Sequence, residues 1–477
     1  MLNQAAPLLA NYGLSAGLEV TSFQPEMLSQ SDWWSRLLQL HWGGLFATRV
    51  QLVSNCKIKR VYYKPEKQTY RVYLTATIQA ANGQHLGEQD LFAHLLPPQE
   101  LEAQWRQAQN RSWVQPAFGP AMCLIPEPGM IVWAYPNDPK VPGAALLAES
   151  AKVLAQLQAA PTAFGLQPEQ QPVGLTAKLA KYVTGQRCGY LYTVQLADGS
   201  EHPLYAKAYR QTAGKRANQI WQQVWDSAAR KNGRLHLPQP YSYDSEHHIL
   251  WQETSSGQPL AKILDSVDLP QIAANVGHQL AALHNSNFDL PAGDGIEQEK
   301  AELKKCITAV QRSLPQIADR CNKLYARLLD NPEASQPSVQ VPIHASFKPS
   351  HILVDGDRCT IIDFDGTTWG DGAYDLGRFI AHLRGTEAKG KLDSAIVEAS
   401  VANLCRAYNE SANQPISQAR INWFTSSLLL SSHINKLVKR LLKAFNHVGD
   451  EQIDRLLTLA EQATTHHPLA KEGTHVV

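Results

Sequence analysis

The sequence has no excess of charge of either sign and no long apolar run. Lysine and arginine (44) nearly balance aspartate and glutamate (43), so the formal net charge is +1. This balance argues against a broad electrostatic field for nucleic acid or an anionic membrane, and it favours a small ligand. No uninterrupted apolar run approaches the length of about 18 residues that a membrane-spanning helix needs. The N-terminus also lacks a basic segment ahead of an apolar one, so we expect a cytoplasmic protein.

Cysteine is scarce, and its pattern lacks any C-x-x-C pair. Seven cysteines are spread over the chain, an odd number. This spacing argues against a disulfide framework and against a thiolate zinc site. We therefore expect buried, reduced thiols.

Three sequence blocks recur in the same order, which suggests an internal duplication. RVYYKPEKQTYRVYL (60–74) resembles AKYVTGQRCGYLYTV (180–194), LFAHLLPPQELEAQW resembles LYAKAYRQTAGKRAN, and IVWAYPNDPKVPGAALL (131–147) resembles ILWQETSSGQPLAKIL (249–264). Each copy predicts a hairpin, a strand ending near position 94 or 207, a helix and further strands. Chance similarity between aromatic-rich strands is the alternative.

The blocks divide the chain of 477 residues. Residues 1–50 form a predicted N-terminal helical segment, in which SDWWSRLLQLHWGGLF should dock on its own domain. Residues 51–160 and 175–265 are the predicted strand-rich repeats, separated by a linker rich in Pro and Gln. Residues 266–477 are predicted to be mainly helical, because apolar residues recur at helical spacing in LPQIAANVGHQLAALHNS and SSHINKLVKRLLKAF. Lys436, Lys439, Arg440 and Lys443 of the latter segment suit a solvated face or, alternatively, a ligand-facing basic patch.

The segment HASFKPSHILVDGDRCTIIDFDG (344–366) carries the most specific pattern. It predicts a loop, a strand, a turn and a second strand that ends on Asp363 and Asp365. In an extended backbone these two side chains share a face, which can bind a hard divalent cation. Solvated turn acids or helix caps are the alternative for such a pair.

This segment resembles the aminoglycoside phosphotransferase and choline kinase family, whose members are related to protein kinases. The family motif H-G-D-x-x-x-x-N-x-L, I-D-F-D and G-D-x-x-x-D-L is similar to residues 344–353, 362–365 and 370–376 at the same spacing. The resemblance covers residues 175 to about 445. Together with the repeat, it implies an α+β, protein-kinase-like two-lobe fold with a duplicated strand-rich N-lobe and a mainly helical C-lobe.

The resemblance also implies ATP and magnesium as cofactors. Lys207 of LYAKAY matches the strand lysine that pairs nucleotide phosphates, and Gly185 and Gly189 of TGQRCG lie in the loop that would cover them. Asp363 matches the catalytic magnesium ligand, with Asp365 as a second ligand. Asp375 would hold the catalytic loop through backbone hydrogen bonds.

Two positions depart from the family motif. Ser346 lies where the family has its catalytic aspartate, and His351 lies at the second metal position, where an imidazole suits magnesium poorly. Losing a general base typically costs about 10²–10⁴ in rate. No orienting partner is visible in the sequence for Ser346 as a nucleophile or His344 as a base. The helix after Lys207 also has no glutamate to pair with it, so Gln222, Gln223 or Asp226 would have to substitute.

Two functions from different classes therefore remain open. The first is a small-molecule kinase that moves the γ-phosphoryl of ATP to a hydroxyl, with Lys207 and Asp363 supplying the electrostatic stabilisation. The second is a catalytically silent protein whose cleft binds nucleotide or a protein partner. Neither nucleic acid nor membrane is an expected partner, and the acceptor is not determined by the sequence.

Overall fold

The computed structural model describes residues 23–42, 51–64, 69–80, 82–293, 295–337, 340–437 and 450–465. Its first half is rich in strands and its second half is mainly helical, which confirms the predicted α+β class. Within the described residues, no helix is both long enough and apolar enough to cross a membrane. All seven cysteines are buried, and none of them forms a disulfide.

The first unit is a five-stranded antiparallel sheet with two helices packed on it. Its elements are α1 (Ser31–His41), β1 (Gln51–Lys64), β2 (Thr69–Ala80), β3 (His85–Leu95), α2 (Pro98–Gln109), β4 (Met122–Ile125) and β5 (Met130–Ala134). The strands lie in the order β1-β2-β3-β5-β4. Trp34, Leu37 and Leu38 of α1 are buried in the core of this sheet, so the amphipathic helix docks on its own unit as predicted.

The second unit repeats this arrangement. Its elements are α3 (Gly143–Ala148), α4 (Ser150–Ala159), β6 (Pro172–Val183), β7 (Arg187–Leu196), β8 (Glu201–Tyr209), α5 (Thr212–Asp226), α6 (Ala228–Lys231), β9 (Pro240–Asp244) and β10 (Ile249–Glu253). The strand order is β6-β7-β8-β10-β9. In both units three strands, a helix and two strands follow one another, and the strands lie in the same spatial order.

The helices between the two sheets pack on the second one. Buried side chains of α3 and α4, including Leu147 and Leu157, share a core with Tyr192 and Trp251 of the second sheet. Gly143 has no side chain at a point where a Cβ would lie 2.7 Å from the carbonyl oxygen of His247. The segment 141–159 therefore packs with the second unit, although the sequence blocks assign it to the first.

The remaining part of the chain builds the helical lobe. Its elements are β11 (Gln258–Pro259), α7 (Leu269–His284), α8 (Gly295–Ser313), α9 (Pro315–Asp330), β12 (Gln340–Ile343), β13 (Ile352–Asp355), β14 (Arg358–Ile361), β15 (Thr368–Asp371), α10 (Gly372–Glu387), α11 (Ser394–Ser411), α12 (Gln418–Leu428) and α13 (Asp450–Thr465). The side chain of Asp268 caps α7 by accepting from the amide of Gln271.

The predicted apolar face of α7 is confirmed, because Ile272, Val276, Leu280 and Leu283 are all buried. A π-helical segment, Leu429–Ile434, follows α12 directly. Ile434 and Leu437 are buried as predicted. The other apolar residues of this face, and Lys439, Arg440 and Lys443 on the opposite side of the helix, lie outside the described residues.

Candidate active site

One cleft brings together the cation and the carboxylates that the motifs single out. Lys207 Nζ, from β8, lies 2.6 Å from Asp363 Oδ1 and 2.5 Å from Asp365 Oδ2, which follow β14 in the helical lobe. On β8, Lys207 alternates with Ala206 and Ala208, which are fully buried in the sheet core. This alternation directs Lys207 away from the core and toward the helical lobe.

The two carboxylates converge for a different reason from the one predicted. The strand β14 ends at Ile361, so the backbone at Asp363 is not extended. Asp363 has φ +70°, in the left-handed region, and a 3₁₀ turn covers Phe364–Gly366. Aspartate tolerates this conformation better than most residues. The tight turn, rather than strand alternation, points both carboxylates at one cation.

Three further side chains contact the carboxylates, and the sequence did not single them out for this role. Tyr209 Oη donates to Asp365 Oδ1 at 2.9 Å, and Trp221 Nε1 donates to the same oxygen at 3.2 Å. Arg187 lies 3.7 Å from an oxygen of each aspartate. Arg187 is opposite Tyr209 in the β7–β8 register. Only the pairing of β7 with β8 could have predicted that Arg187 lies near the two aspartates.

The predicted substitutes for the absent glutamate do not pair with Lys207. Gln223 instead exchanges two hydrogen bonds with the backbone of Asp289, and Asp226 is exposed. No contact joins Gln222 to Lys207 among the described residues. The aspartates of the helical lobe take the role of counter-ion to this lysine.

The charges in the cleft stabilise one another. Burial by itself lowers the pKa of Lys207, but the charges of Asp365 and Asp363 outweigh it and hold that pKa above its ordinary value. Burial opposes ionisation of Asp363, yet Lys207 above all holds the pKa of Asp363 well below its usual range. At neutral pH the cleft therefore contains a lysine cation between two carboxylates.

Ser346 lies between two imidazoles. Its Oγ is 3.3 Å from Nδ1 of His344 and 3.4 Å from Nδ1 of His351. His344 Nε2 lies 3.0 Å from the carbonyl oxygen of Ile362, to which it donates, so its Nδ1 is an acceptor. The orienting partner of His344 that the sequence lacked is thus a backbone carbonyl, which no side-chain motif could reveal.

His351 is oriented by a carboxylate. Its Nε2 lies 3.3 Å from Asp363 Oδ2, where only a protonated Nε2 is favourable, so its Nδ1 also faces Ser346 as an acceptor. Burial lowers the pKa of His351 to about 3, and Asp363 only partly opposes this. His351 is therefore neutral at physiological pH. Its Nε2 donates to Asp363, and its Nδ1 faces Ser346 as an acceptor.

Asp375 holds the loop that carries Ser346, as expected. It is fully buried and accepts from the amides of His344, at 2.6 Å, and Ala345, at 3.0 Å. Ala345 has φ +61°, where a glycine is normally preferred. These two hydrogen bonds and the buried His284, 3.3 Å from Asp375, keep the strained residue in place.

The two glycines predicted to contact nucleotide lie on or near β7. Gly185 has φ +68° in the turn between β6 and β7, and its amide donates to Asp138 Oδ2 at 2.6 Å. Gly189 is opposite Lys207, and a Cβ there would lie 2.3 Å from the hydroxyl of Tyr205. The turn is thus attached to the first unit through Asp138, and Gly189 makes room for Tyr205. A nucleotide-binding role for both glycines stays a prediction.

The predicted magnesium ligands Asp363, Asp365 and His351 do not form a metal-ligand cluster among the described residues. No group of three or more His, Cys, Asp or Glu side chains is arranged to hold a metal ion in the part of the chain that the structure describes. Asp363 and Asp365 nevertheless present oxygen donors to the same cation, Lys207 Nζ. The donor chemistry of this pair suits magnesium, whereas the imidazole of His351 does not.

Comparison with protein-family models gives a match in the central part of the chain. Residues 193–410 match the model of the phosphotransferase enzyme family. This match includes Lys207, Ser346 and the Asp363–Asp365 turn, and it confirms the resemblance seen in the motifs. No curated protein matches the chain significantly.

Solved structures of similar architecture cover about two thirds of the chain. A choline/ethanolamine kinase family protein from Mesorhizobium loti has 18% identity and a TM-score of 0.41 over 67% of this chain and 95% of its own. Choline kinase LicA from Streptococcus pneumoniae has 13% identity and a TM-score of 0.40 over 66% and 98%. A thermostable mutant of aminoglycoside phosphotransferase APH(4)-Ia, solved as a ternary complex with ADP and hygromycin B, has 16% identity and a TM-score of 0.44 over 67% and 100%.

Proposed function

We propose that this chain, whose residues 193–410 match the phosphotransferase enzyme family, transfers the γ-phosphoryl group of ATP to a hydroxyl of a small molecule. The observation that carries the proposal is the convergence of Lys207 with Asp363 and Asp365 across the two lobes. Phosphoryl transfer depends mainly on positioning and on neutralising phosphate charge, and these three side chains are suited to both tasks.

In the proposed reaction the cations bind the nucleotide, and the serine and histidines handle the proton of the acceptor. Lys207 and Arg187 line the same face of the second sheet and neutralise the nucleotide phosphates. The bond between the γ-phosphorus and the ADP oxygen breaks, and a new bond to the acceptor oxygen forms. The proton of the acceptor hydroxyl passes to Ser346 Oγ, which gives its own proton to Nδ1 of either His344 or His351. Burial lowers the pKa of both imidazoles, which makes them poor proton acceptors, so we expect slow turnover.

Magnesium belongs to the same proposal. Asp363 and Asp365 would hold it, because their oxygens already face one common cation. When bound, the ion would neutralise charge on the nucleotide phosphates. Lys207 would then exchange one carboxylate partner for phosphate.

The proposed function is tested by nucleotide binding followed by turnover. The melting temperature is measured with ATP, with and without magnesium, for the wild type and for Lys207→Ala and Asp363→Ala. At a hundredfold excess over the dissociation constant, ATP adds about 2.7 kcal/mol to the free energy of unfolding. Both variants should lose this stabilisation, whereas Lys178→Ala, on the exposed part of β6, should retain it. No stabilisation of the wild type by millimolar ATP with magnesium would overturn the proposal.

A catalytically silent binding protein is the second candidate. It is favoured by Ser346, which supplies no carboxylate, and by Gly185, whose amide is already bonded to Asp138. In that case ATP or a protein partner would bind without phosphate release. A single-turnover assay with radiolabelled ATP separates the two candidates once binding is established.

The division of the chain and its location complete the proposal. We place the strand-rich repeats at 51–160 and 175–265 by sequence, with 141–159 packed on the second repeat, and the helical lobe from 266 onward. Residues 1–50 add the docked helix α1. A cytoplasmic location suits an ATP-dependent reaction and seven buried thiols.

A further inference from the structure

Two half-buried cations lie beside the loop that carries Ser346, and neither has a carboxylate partner. Lys348 lies two residues beyond Ser346, and Arg378 lies on α10. No carboxylate of the described residues is within ion-pair distance of either side chain. The guanidinium of Arg378 donates to Tyr374 Oη at 2.8 Å, while its buried Nε has no partner in the described part of the chain. An unpartnered guanidinium nitrogen next to a reaction centre indicates a missing acceptor.

These cations belong to one electropositive group. Burial and the charges of Arg378, Lys181 and Lys436 lower the pKa of Lys348 to about 8, although Asp363 acts in the opposite sense. Lys436 follows the π-helical segment and is exposed. A group of like charges that are partly removed from water is unfavourable by itself, and a bound anion relieves the cost.

The neighbouring side chains do not neutralise this group. His382 and His433 contact each other with ring centroids 4.9 Å apart. Burial lowers the pKa of both histidines, that of His433 to about 3, so both are uncharged at neutral pH. The nearby acid Glu299 is buried; burial raises its pKa, whereas a hydrogen bond from Ser431, at 2.6 Å, and the charge of Arg378 act in the opposite sense. Apart from Glu299, the side chains named on this wall are thus neutral or positive.

A π-helical segment and a glycine allow the two helices of this wall to pack closely. His433 and Ser431 lie in the π-helical segment Leu429–Ile434, and such segments occur frequently at functional sites. Gly385 of α10 faces His433, where a Cβ would lie 2.5 Å from the imidazole Nδ1. Close packing here requires a glycine, and it brings α10 with Arg378 alongside the π-helical segment.

We infer that the acceptor of this site is an anionic small molecule, a polyol or similar alcohol carrying a phosphate or carboxylate group, which Lys348 and Arg378 bind while its hydroxyl faces Ser346. This inference rests on the proposed function and specifies its substrate class. A polycationic acceptor would meet charges of its own sign at this place. The bidentate guanidinium of Arg378 suits phosphate and carboxylate oxygens in particular.

Binding of glycerol 3-phosphate, measured by calorimetry, tests the inference. The nucleotide site is first saturated with AMP-PNP and magnesium, so that the probe cannot bind there. Glycerol and the cationic amino sugar kanamycin A are the neutral and positive comparisons. We expect glycerol 3-phosphate to bind, glycerol and kanamycin A not to bind, and the affinity to fall at least threefold between 50 mM and 300 mM salt.

Substitutions locate the site of binding. Arg378→Gln should lower the affinity for glycerol 3-phosphate at least tenfold and leave the affinity for AMP-PNP within twofold. Lys231→Gln on α6 should change neither affinity. Arg378→Lys keeps the charge but loses the bidentate geometry, so it should weaken binding less than Arg378→Gln does, and it guards against a folding defect. The inference is overturned if glycerol 3-phosphate does not bind or if kanamycin A binds instead. It is also overturned if Arg378→Gln does not lower the affinity for glycerol 3-phosphate, or lowers the affinity for AMP-PNP in equal proportion.

The same measurements separate this inference from the proposed function. If AMP-PNP does not bind but glycerol 3-phosphate binds in an Arg378-dependent manner, the proposed kinase function fails and the anion site stands. If AMP-PNP binds and the wild type phosphorylates only cationic or neutral acceptors, the kinase function stands and the anionic acceptor class is wrong.

Discussion

The hydroxyl of Ser346 lies 3.3 Å from Nδ1 of His344, whose other ring nitrogen is hydrogen-bonded to the carbonyl oxygen of Ile362. The position where the family motif has a carboxylate thus has a hydroxyl that faces an oriented, neutral imidazole. Such a pair can pass a proton but is a weaker base than the reaction favours. The chemistry of this pair leads to the first prediction.

The double change Ser346→Asp with His351→Asn should raise ATP turnover by roughly 10² or more, because it supplies a general base and an amide oxygen for magnesium. Phosphate release and acceptor phosphorylation are measured after the wild type and the variants have been shown to bind ATP equally. The control is Ser346→Asn with His351→Asn, which has similar volume without the carboxylate. Equal background turnover in both variants would indicate a binding protein, and robust turnover by the unmodified chain would show that a carboxylate is not needed.

Removal of the central cation should destabilise the protein. Lys207→Met leaves Asp363 and Asp365 facing each other in a mostly buried cleft, which should lower the free energy of unfolding by about 3 kcal/mol at pH 7. Urea denaturation measures the loss, with Lys178→Met on the exposed edge as control.

The effect of Lys207→Met should depend on pH with a defined sign. The folded state depresses the pKa of Asp363, so the associated stability is complete above the unfolded pKa, near 4, and is lost as the pH falls through the lower folded value. The stability difference between wild type and Lys207→Met should therefore shrink below about pH 4. A difference that is constant from pH 7 to pH 3 would show that packing, and not charge, is what the lysine contributes.

The histidine pair of the helical lobe predicts a second pH dependence. Burial lowers the pKa of His433 to about 3, and the charges of Lys436, Lys389 and Arg378 add to this effect. Below about pH 6.5 the unfolded chain binds a proton that the folded chain does not, so the free energy of unfolding decreases as the pH falls, by at most about 1.4 kcal/mol per pH unit for this residue. His433→Gln should reduce that slope between pH 6.5 and pH 5.

The control for this measurement is His85→Gln, at an exposed position at the start of β3. It should leave the slope of the wild type unchanged. If His433→Gln also leaves the slope unchanged, His433 takes up its proton at the same pH in the folded and the unfolded chain, and burial does not lower its pKa.

Asp138 should control the turn between β6 and β7. This buried carboxylate accepts from the amide of Gly185 at 2.6 Å, from Tyr182 Oη at 2.8 Å and from the amide of Lys140 at 2.9 Å. Asp138→Ala should lower the free energy of unfolding by about 1–3 kcal/mol, because buried donors lose their acceptor. Hydrogen exchange should accelerate at residues 182–187.

Asp198→Ala is the matched control, because Asp198 accepts similar local hydrogen bonds in the exposed turn between β7 and β8. It should leave exchange at residues 182–187 unchanged. If Asp138→Ala behaves like this control, the first unit does not hold the turn that is predicted to cover the nucleotide.

The sequence by itself determined the elements and the chemical inventory of this protein. Alternating apolar residues around Lys207 fixed its strand and its outward direction, and the helical spacing of Ile272, Val276 and Leu280 fixed a buried face of α7. The repeated blocks gave the strand content of both units, and the motif spacing identified Ser346, Asp363 and Asp375. Local periodicity and motif spacing carry such information because they depend on neighbouring residues alone.

Only the tertiary structure decided which groups meet. Arg187 reaches the carboxylates through the β7–β8 register, Asp138 reaches Gly185 from 47 positions away, and Lys207 pairs with two aspartates about 160 positions later. The left-handed backbone of Asp363 replaced the extended strand that its spacing suggested. The helices of 143–159 packed on the second sheet, because burial of their apolar faces depends on which surface is available. Contacts between distant segments and the dihedral angles of a tight turn are fixed by packing, and no local sequence pattern encodes them.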